Sequence, residues 1–393
     1  MAAFPARPGL YVHIPFCRTI CPFCPYNKVP YEAGPAADYL RSLRHEAAAY
    51  LAEAAGPFPS LYVGGGTPTL CLDGLEDLLG RLPVAGERAI EVLPSHMTPA
   101  GAARMFDIGF DFVSLGVQSF DPEVLRRLRR PTSPQQNRKA IETAVGRFSC
   151  VDVDLIFDVA YDRPQVLLDD LATCFEYGVD QVSTYPLMRF GFTPFGKSRH
   201  HRAREHRLLA EAAGLAAGFG YQRRAVWTFN RPGSPSYTSI TRPYHLGLGA
   251  GASSFAGRWF TVNHFGLDHY QRALDAGRLP IARLARLPRP AAAAYRAFWQ
   301  AYTGCTPLHS EDPLLRHPVA AASRAVSRAM GWARRRGEAV VLTPSGYDRY
   351  HDLERWVTYH LIEPLWAEMT GEHHREGTEP AESPGDARHR SPH

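Results

Sequence analysis

Lysine is almost absent from this chain. Lys28, Lys139 and Lys197 are the only three among 393 residues, so the formal charge of +5 rests on arginine. Those arginines are dispersed, and no basic stripe with interleaved aromatics appears, which argues against a nucleic-acid partner. Long apolar runs are missing too: no stretch approaches the roughly twenty residues that span a bilayer. The first ten residues lack the basic and apolar regions of a secretory signal. A soluble, cytoplasmic protein with no membrane partner is the expectation. Cysteine is sparse and odd in number, and seven in so long a chain argue against a disulfide framework. What is plentiful is apolar residues, at 45%, enough to bury the core of one large α/β domain and a smaller one.

Short β-like runs alternate with helical patterns through the first half. "LYVHI" (10–14), "LYV" (61–63), "AIEVL" (89–93), "FVSLGV" (112–117), "VDLIF" (153–157) and "QVSTYPL" (181–187) are apolar and rich in β-branched residues. Between them, segments such as 37–54, 74–82 and 135–148 place apolar residues at helical spacing. Six βα units in succession predict an α/β fold: a parallel sheet closed or partly closed as a (β/α) barrel, with chemistry at the C-terminal ends of its strands. Past residue 190 the alternation fades. "GWARRRGEAVVLTPSGYDRY" (331–350) reads as a helix end, a hairpin and a new helix, which suits a winged-helix-like module. Core barrel and extension over 1–285, a smaller C-terminal helical domain over 286–370 and a disordered tail over 371–393 are the expected divisions.

"PFCRTICPFCPY" (15–26) gathers Cys17, Cys21 and Cys24 directly after the first strand. A structural zinc site draws four ligands, and no second C-x2-C pair exists, although His13 could complete a set; a packed or hydrogen-bonded core histidine is the plainer reading. Three thiolates on one loop suit a [4Fe–4S] cluster whose fourth iron keeps an open position.

"YVHIPFCRTICPFC" resembles the cluster loop of the radical S-adenosylmethionine (SAM) superfamily, in the branch typified by oxygen-independent coproporphyrinogen III oxidase. Further similar blocks follow in order: "YVGGGTPTL" (62–70), "SLGVQSFDPEVLRRLRRP" (114–131), "DVDLIF" (152–157), "LGLGAGASSF" (246–255) and "GEAVVLTPSGY" (337–347). The resemblance implies that SAM chelates the open iron and that an electron from the cluster cleaves it to a 5′-deoxyadenosyl radical. It places Gly64, Gly65, Gly66 and Thr67 beside SAM's methionine part and Glu91 at its ribose. Gln118, Arg130 and Asp154 fall at other SAM-contacting positions, with Tyr11 nearby, and Gly249, Ala250 and Gly251 near a second ligand. Plainer readings stand beside these. Glu91 and Arg130 could be solvated charges, Tyr11 could be core packing, and each glycine run could merely form a turn.

The departures steer the functional expectation. Position 26 is tyrosine where the oxidases carry another cysteine, their long N-terminal extension is missing, and their "GLP" is replaced by Asp158-Val159-Ala160. The His-Asn-x-x-Tyr-Trp motif of the related haem chaperones is not found in "SYTSITRPYHLGLGAG" (236–251). The segment 346–369, with Trp356, Tyr359, Leu361, Ile362, Leu365 and Trp366, resembles that of class C radical SAM methyltransferases, or else forms a simple packing face. The resulting expectation is a class C methyltransferase or cyclopropanase that transfers a methyl or methylene carbon to an sp2 carbon, with an oxygen-independent coproporphyrinogen III oxidase-like decarboxylase or a haem chaperone as the alternative. It would use a [4Fe–4S] cluster and two SAM molecules, the second beside Phe23. Its partners would be a small-molecule acceptor, such as a secondary-metabolite intermediate, and an electron donor such as flavodoxin or ferredoxin.

Overall fold

A computed structural model of the chain describes residues 7–52, 56–159, 163–196, 202–235 and 242–376, with side chains described to residue 370. The six expected strands all form: β1 (Gly9–Ile14), β2 (Leu61–Gly65), β3 (Arg88–Val92), β4 (Phe112–Gln118), β5 (Cys150–Phe157) and β6 (Gln181–Pro186). They pair in parallel and in sequence order. Helices α1 (Ala33–Leu51), α2 (Leu72–Arg81), α3 (Pro99–Ile108), α4 (Pro122–Arg127), α5 (Pro134–Ala144) and α6 (Gln165–Glu176) make the crossovers. Local sequence explains several starts. Thr98, Asp121 and Ser133 cap α3, α4 and α5 with side-chain oxygens, and each precedes a proline at the first helical position, where its missing N–H costs nothing.

After α7 (Arg202–Gly218) the regularity expected from βα units is lost because the next strands run antiparallel. Hairpin strands β7 (Gln222–Ala225) and β8 (Thr228–Asn230) extend the sheet beyond β6. On the other side β9 (His245–Leu248) pairs in parallel with β1, and β10 (Ser253–Ala256), β11 (Trp259–Asn263) and β12 (Ile281–Arg286) follow antiparallel. The sheet therefore runs β12-β11-β10-β9-β1-β2-β3-β4-β5-β6-β8-β7, an open α/β sheet with a parallel centre and two edges. The C-terminal region holds α8 (Leu267–Asp275), α9 (Arg289–Tyr302), α10 (Pro318–Ala329), α11 (Pro344–Val357) and α12 (Glu363–Glu376) around a small sheet of β13 (Cys305–Pro307), β14 (Ala333–Arg336) and β15 (Ala339–Leu342). Hairpin β14–β15 between α10 and α11 forms where 331–350 predicts it.

Strand alternation sorts the residues by chemistry, because successive side chains point to opposite faces. Val12, Val63, Ile90, Val113, Leu115, Val151, Val153 and Leu155 are fully buried in the main core against the helices. The opposite, inner face carries Tyr11, His13, Tyr62, Glu91, Ser114, Asp152, Asp154, Ser183 and Tyr185. Register aligns them: Tyr11 with Tyr62, Glu91 with Ser114, Ser114 with Asp152, and Asp154 with Ser183.

Candidate SAM and cluster site

The cysteine loop leaves β1 and is fixed from both sides. A two-residue ladder pairs Phe16–Cys17 with Val29–Pro30, and the ladder of β2 continues into it, Gly66 N donating to Ile14 O at 2.7 Å and Thr67 N to Phe16 O at 2.8 Å. Thr67 Oγ1 then lies 3.7 Å from Cys17 Sγ, and Arg130 Nη1 3.6 Å from Cys21 Sγ. All three cysteines are free thiols. Burial pushes the Cys24 thiol up to about 11, with Lys28 pulling the other way. Iron binding must therefore displace protons from this loop.

His13 is not a ligand. Its Nε2 donates to Asn27 O at 2.9 Å, which leaves Nδ1 to accept from Tyr11 Oη at 2.8 Å, so no lone pair remains for a metal. Burial lowers its pKa to about 4 and keeps it neutral. Among the described residues, His206, His351 and Asp352 also approach one another. There His351 accepts from Trp227 Nε1 and hydrogen-bonds Glu205, while Asp352 is paired with Arg202, so that trio is a protein network.

Glu91 sits against the glycine run. Its Oε1 accepts from Tyr62 Oη at 2.6 Å and its Oε2 from Gly65 N at 3.0 Å, and a Cβ at Gly64 would come within 2.7 Å of Oε1. A carboxylate has about four lone-pair sites, so two remain for hydroxyl donors such as those of a ribose. Burial raises its pKa. Asp154 accepts from Ser114 Oγ at 2.8 Å through Oδ2. Its pKa lies well above the usual carboxylate range because of burial and the neighbouring Asp152. Gln118 ends β4 in the left-handed region, φ 70°, with its amide beside Gly116. Arg130 donates through Nη2 to Gly116 O, and its buried Nε has no partner. Among the described residues Arg130 has no carboxylate in ion-pair range, and the Gln118 amide makes no protein hydrogen bond. The strand ends thus leave a guanidinium, an amide and carboxylate oxygens open beside the thiols. That donor set fits a cluster held by Cys17, Cys21 and Cys24 with an amino-acid ligand on the open iron.

The glycine-rich loop after β9 behaves differently. Gly249 N donates to Glu46 Oε2 at 2.7 Å, Ala250 N to Tyr39 Oη at 3.0 Å and Gly251 N to His264 O at 2.9 Å. A Cβ at Gly249 would lie 2.4 Å from Tyr39 Oη, and one at Gly251 2.9 Å from Asn27 Cβ. These glycines let the loop close on the underside of the cluster loop, and their N–H groups are spent on protein. Phe23 packs on Val124, Leu128, Val159 and Leu187. Asp158 holds φ 65°, a conformation glycine favours, and its buried carboxylate accepts from Arg189 at 2.9 Å and from Arg204. Ala160 and residues 236–241, where the chaperone motif was sought, lie outside the described residues. Lys28, Asn27, Glu46, Ser114 and Asp152 were missed by the sequence reading. Only Asp152 carried a local signal, sharing the inner face with Asp154 two residues on.

The radical SAM superfamily model matches residues 11–171. Haem chaperone HemW of Mycobacterium tuberculosis is 30% identical over 348 residues, covering 80% of this chain and 83% of that protein. Oxygen-independent coproporphyrinogen III oxidase of Pseudomonas aeruginosa is 27% identical over 318 residues, covering 70% and 67%. The structure of coproporphyrinogen III oxidase from Escherichia coli shares the fold, with TM-score 0.75, 23% identity and 90% of each chain covered. The chain belongs to the radical SAM superfamily, in the branch that holds the HemW haem chaperones and the oxygen-independent coproporphyrinogen III oxidases. Membership carries a [4Fe–4S] cluster and SAM. Cys17, Cys21 and Cys24 would hold the cluster, which would supply the electron for SAM cleavage.

The expected class C methyltransferase or cyclopropanase is overturned. Similarity to HemW and the oxidases extends over 70–80% of the chain, whereas that expectation rested on local departures at Tyr26, 158–160 and 236–251, on the short N-terminus and on one C-terminal segment. The segment does not form a single packing face. Trp356 and Leu361 are 52% and 57% exposed, a π-helical turn at Thr358–Ile362 interrupts the helix, and Tyr359 and Trp366 alone of its rings reach Phe190. Helical spacing could not reveal that shift of face. No described helix is long and apolar enough to cross a membrane.

Proposed function

We propose that this chain is a haem-trafficking member of the branch, binding SAM at the cluster loop and a tetrapyrrole, haem, above it. The observation that carries the reading is the 348-residue similarity to a haem chaperone, joined to a strand-end site where Arg130, Gln118, Glu91 and Asp154 offer polar groups to SAM beside the thiols. Tyr26 favours trafficking over decarboxylation, since the oxidases carry a further cysteine there. An electron donor such as a flavodoxin or ferredoxin, and cytoplasmic residence, belong to the same proposal. So does a second SAM beside Phe23, which equilibrium dialysis counts: two per cluster-loaded chain supports it and one refutes it.

Ferric haem titrated into the anaerobically reconstituted protein tests the reading. Saturable binding near one haem per chain is the expected result, and coproporphyrinogen III supplied with SAM and reductant releases no stoichiometric CO2. Absence of saturable haem binding, or stoichiometric CO2 release, overturns it.

A further inference from the structure

An aromatic surface at the barrel mouth is left over once the SAM-facing residues are assigned. Tyr26 follows Cys24 by two residues and is 53% exposed. Its ring meets Trp366 of α12 at 5.7 Å, inclined 59°. Trp366 meets Phe190 at 5.9 Å, and Phe190 stacks on Phe192 at 5.3 Å. Phe190 is buried, so the loop after β6 backs the pair from below, and Tyr26 of the cluster loop and Trp366 of the last helix form the accessible aromatic shelf from parts distant in sequence.

Charge selects what lies on it. Lys28 Nζ donates to the carbonyls of Cys24 and Tyr26, at 2.6 and 3.3 Å, and among the described residues it has no carboxylate in ion-pair range. Arg18, on the same loop, lies over the Tyr31 ring and likewise lacks a carboxylate. A flat, apolar ring edged with carboxylates complements such a surface: its face covers aromatic area that water solvates poorly, and its acids meet cations that no described carboxylate pairs.

We propose that Tyr26 and Trp366 form the platform on which the tetrapyrrole macrocycle lies beside the cluster, with Lys28 pairing to a propionate. This rests on the haem-binding reading above and assigns the residues that carry it. The platform also accounts for the tyrosine at position 26: a ring there extends the shelf, where a thiol would leave a gap.

Haem titrations of cluster-loaded variants test the platform. Tyr26→Leu and Trp366→Leu should each weaken haem binding about tenfold, and Trp366→Phe should stay within about twofold of wild type. Trp356→Leu, a tryptophan outside the shelf, should leave binding unchanged, and the cluster's visible absorbance should be the same in every variant. Wild type should prefer haem to its dimethyl ester, and Lys28→Met should abolish that preference. Wild-type affinity in the Tyr26→Leu/Trp366→Leu double variant overturns the platform while the trafficking reading stands. Failure of the wild-type chain to bind haem overturns both.

Discussion

A methyl group at position 66 would sit 2.6 Å from the Phe16 carbonyl oxygen and 2.9 Å from the Cys17 sulfur. Both contacts are shorter than packing allows, and one partner is backbone, so the cluster loop itself must shift. Gly66→Ala should fold, by far-UV circular dichroism, yet take up less than half of the about four irons that a loaded chain holds. Full iron content in this variant would show that the glycine serves only its own turn. The triple glycine after a strand was legible as a place of close approach. What approaches was not: Cys17 and Glu91 reach it across 49 and 27 residues of chain, respectively, and no local pattern records such pairs. Ser114 and Asp152 escaped notice for the same reason, since a serine becomes part of a site only when register sets it against carboxylates on the next strand.

Elements were read best where period and punctuation agree. Six buried strands, and helices α1, α2 and α5 over the segments with apolar residues at helical spacing, follow from hydrophobic periodicity. The short strands β7 to β12 and the π-helical turn at Thr358–Ile362 did not, because short strands with mixed burial and a one-residue change in helical pitch leave little periodic signal. Helix α1 shows what such elements do for the site. Its Glu46, wholly buried, accepts from Gly249 N, Asn263 Nδ2 and Tyr270 Oη and so pins the glycine-rich loop beneath the cluster loop. Burial outweighs those donors and raises its pKa to about 7. The folded state then holds a proton that the unfolded chain releases near 4.5, so this group's contribution to stability falls as pH rises through that window. Thermal melts of Glu46→Gln and wild type should diverge in the variant's favour from about pH 4.5 to 7 and run parallel above it. A pH-independent difference would contradict the assignment.

At the scale of the whole molecule the α/β fold and the branch were legible, while the activity within the branch was misjudged. Three cysteines after the first strand can be read locally, but the choice among near relatives rested on a few local departures and on a C-terminal helix whose exposed and buried rings alternate in a way that spacing conceals. That helix returns to the cluster loop through Trp366, so both ends of the chain help build one mouth. The central claim is that Cys17, Cys21 and Cys24 hold a [4Fe–4S] cluster whose open iron takes SAM among Glu91, Gln118, Arg130 and Asp154. Electron paramagnetic resonance of the reduced, reconstituted protein, recorded with and without SAM, tests it most directly. The account predicts a cluster signal that changes on SAM addition in wild type and is lost in Cys21→Ala; a signal indifferent to SAM, or one that survives Cys21→Ala unchanged, would contradict it.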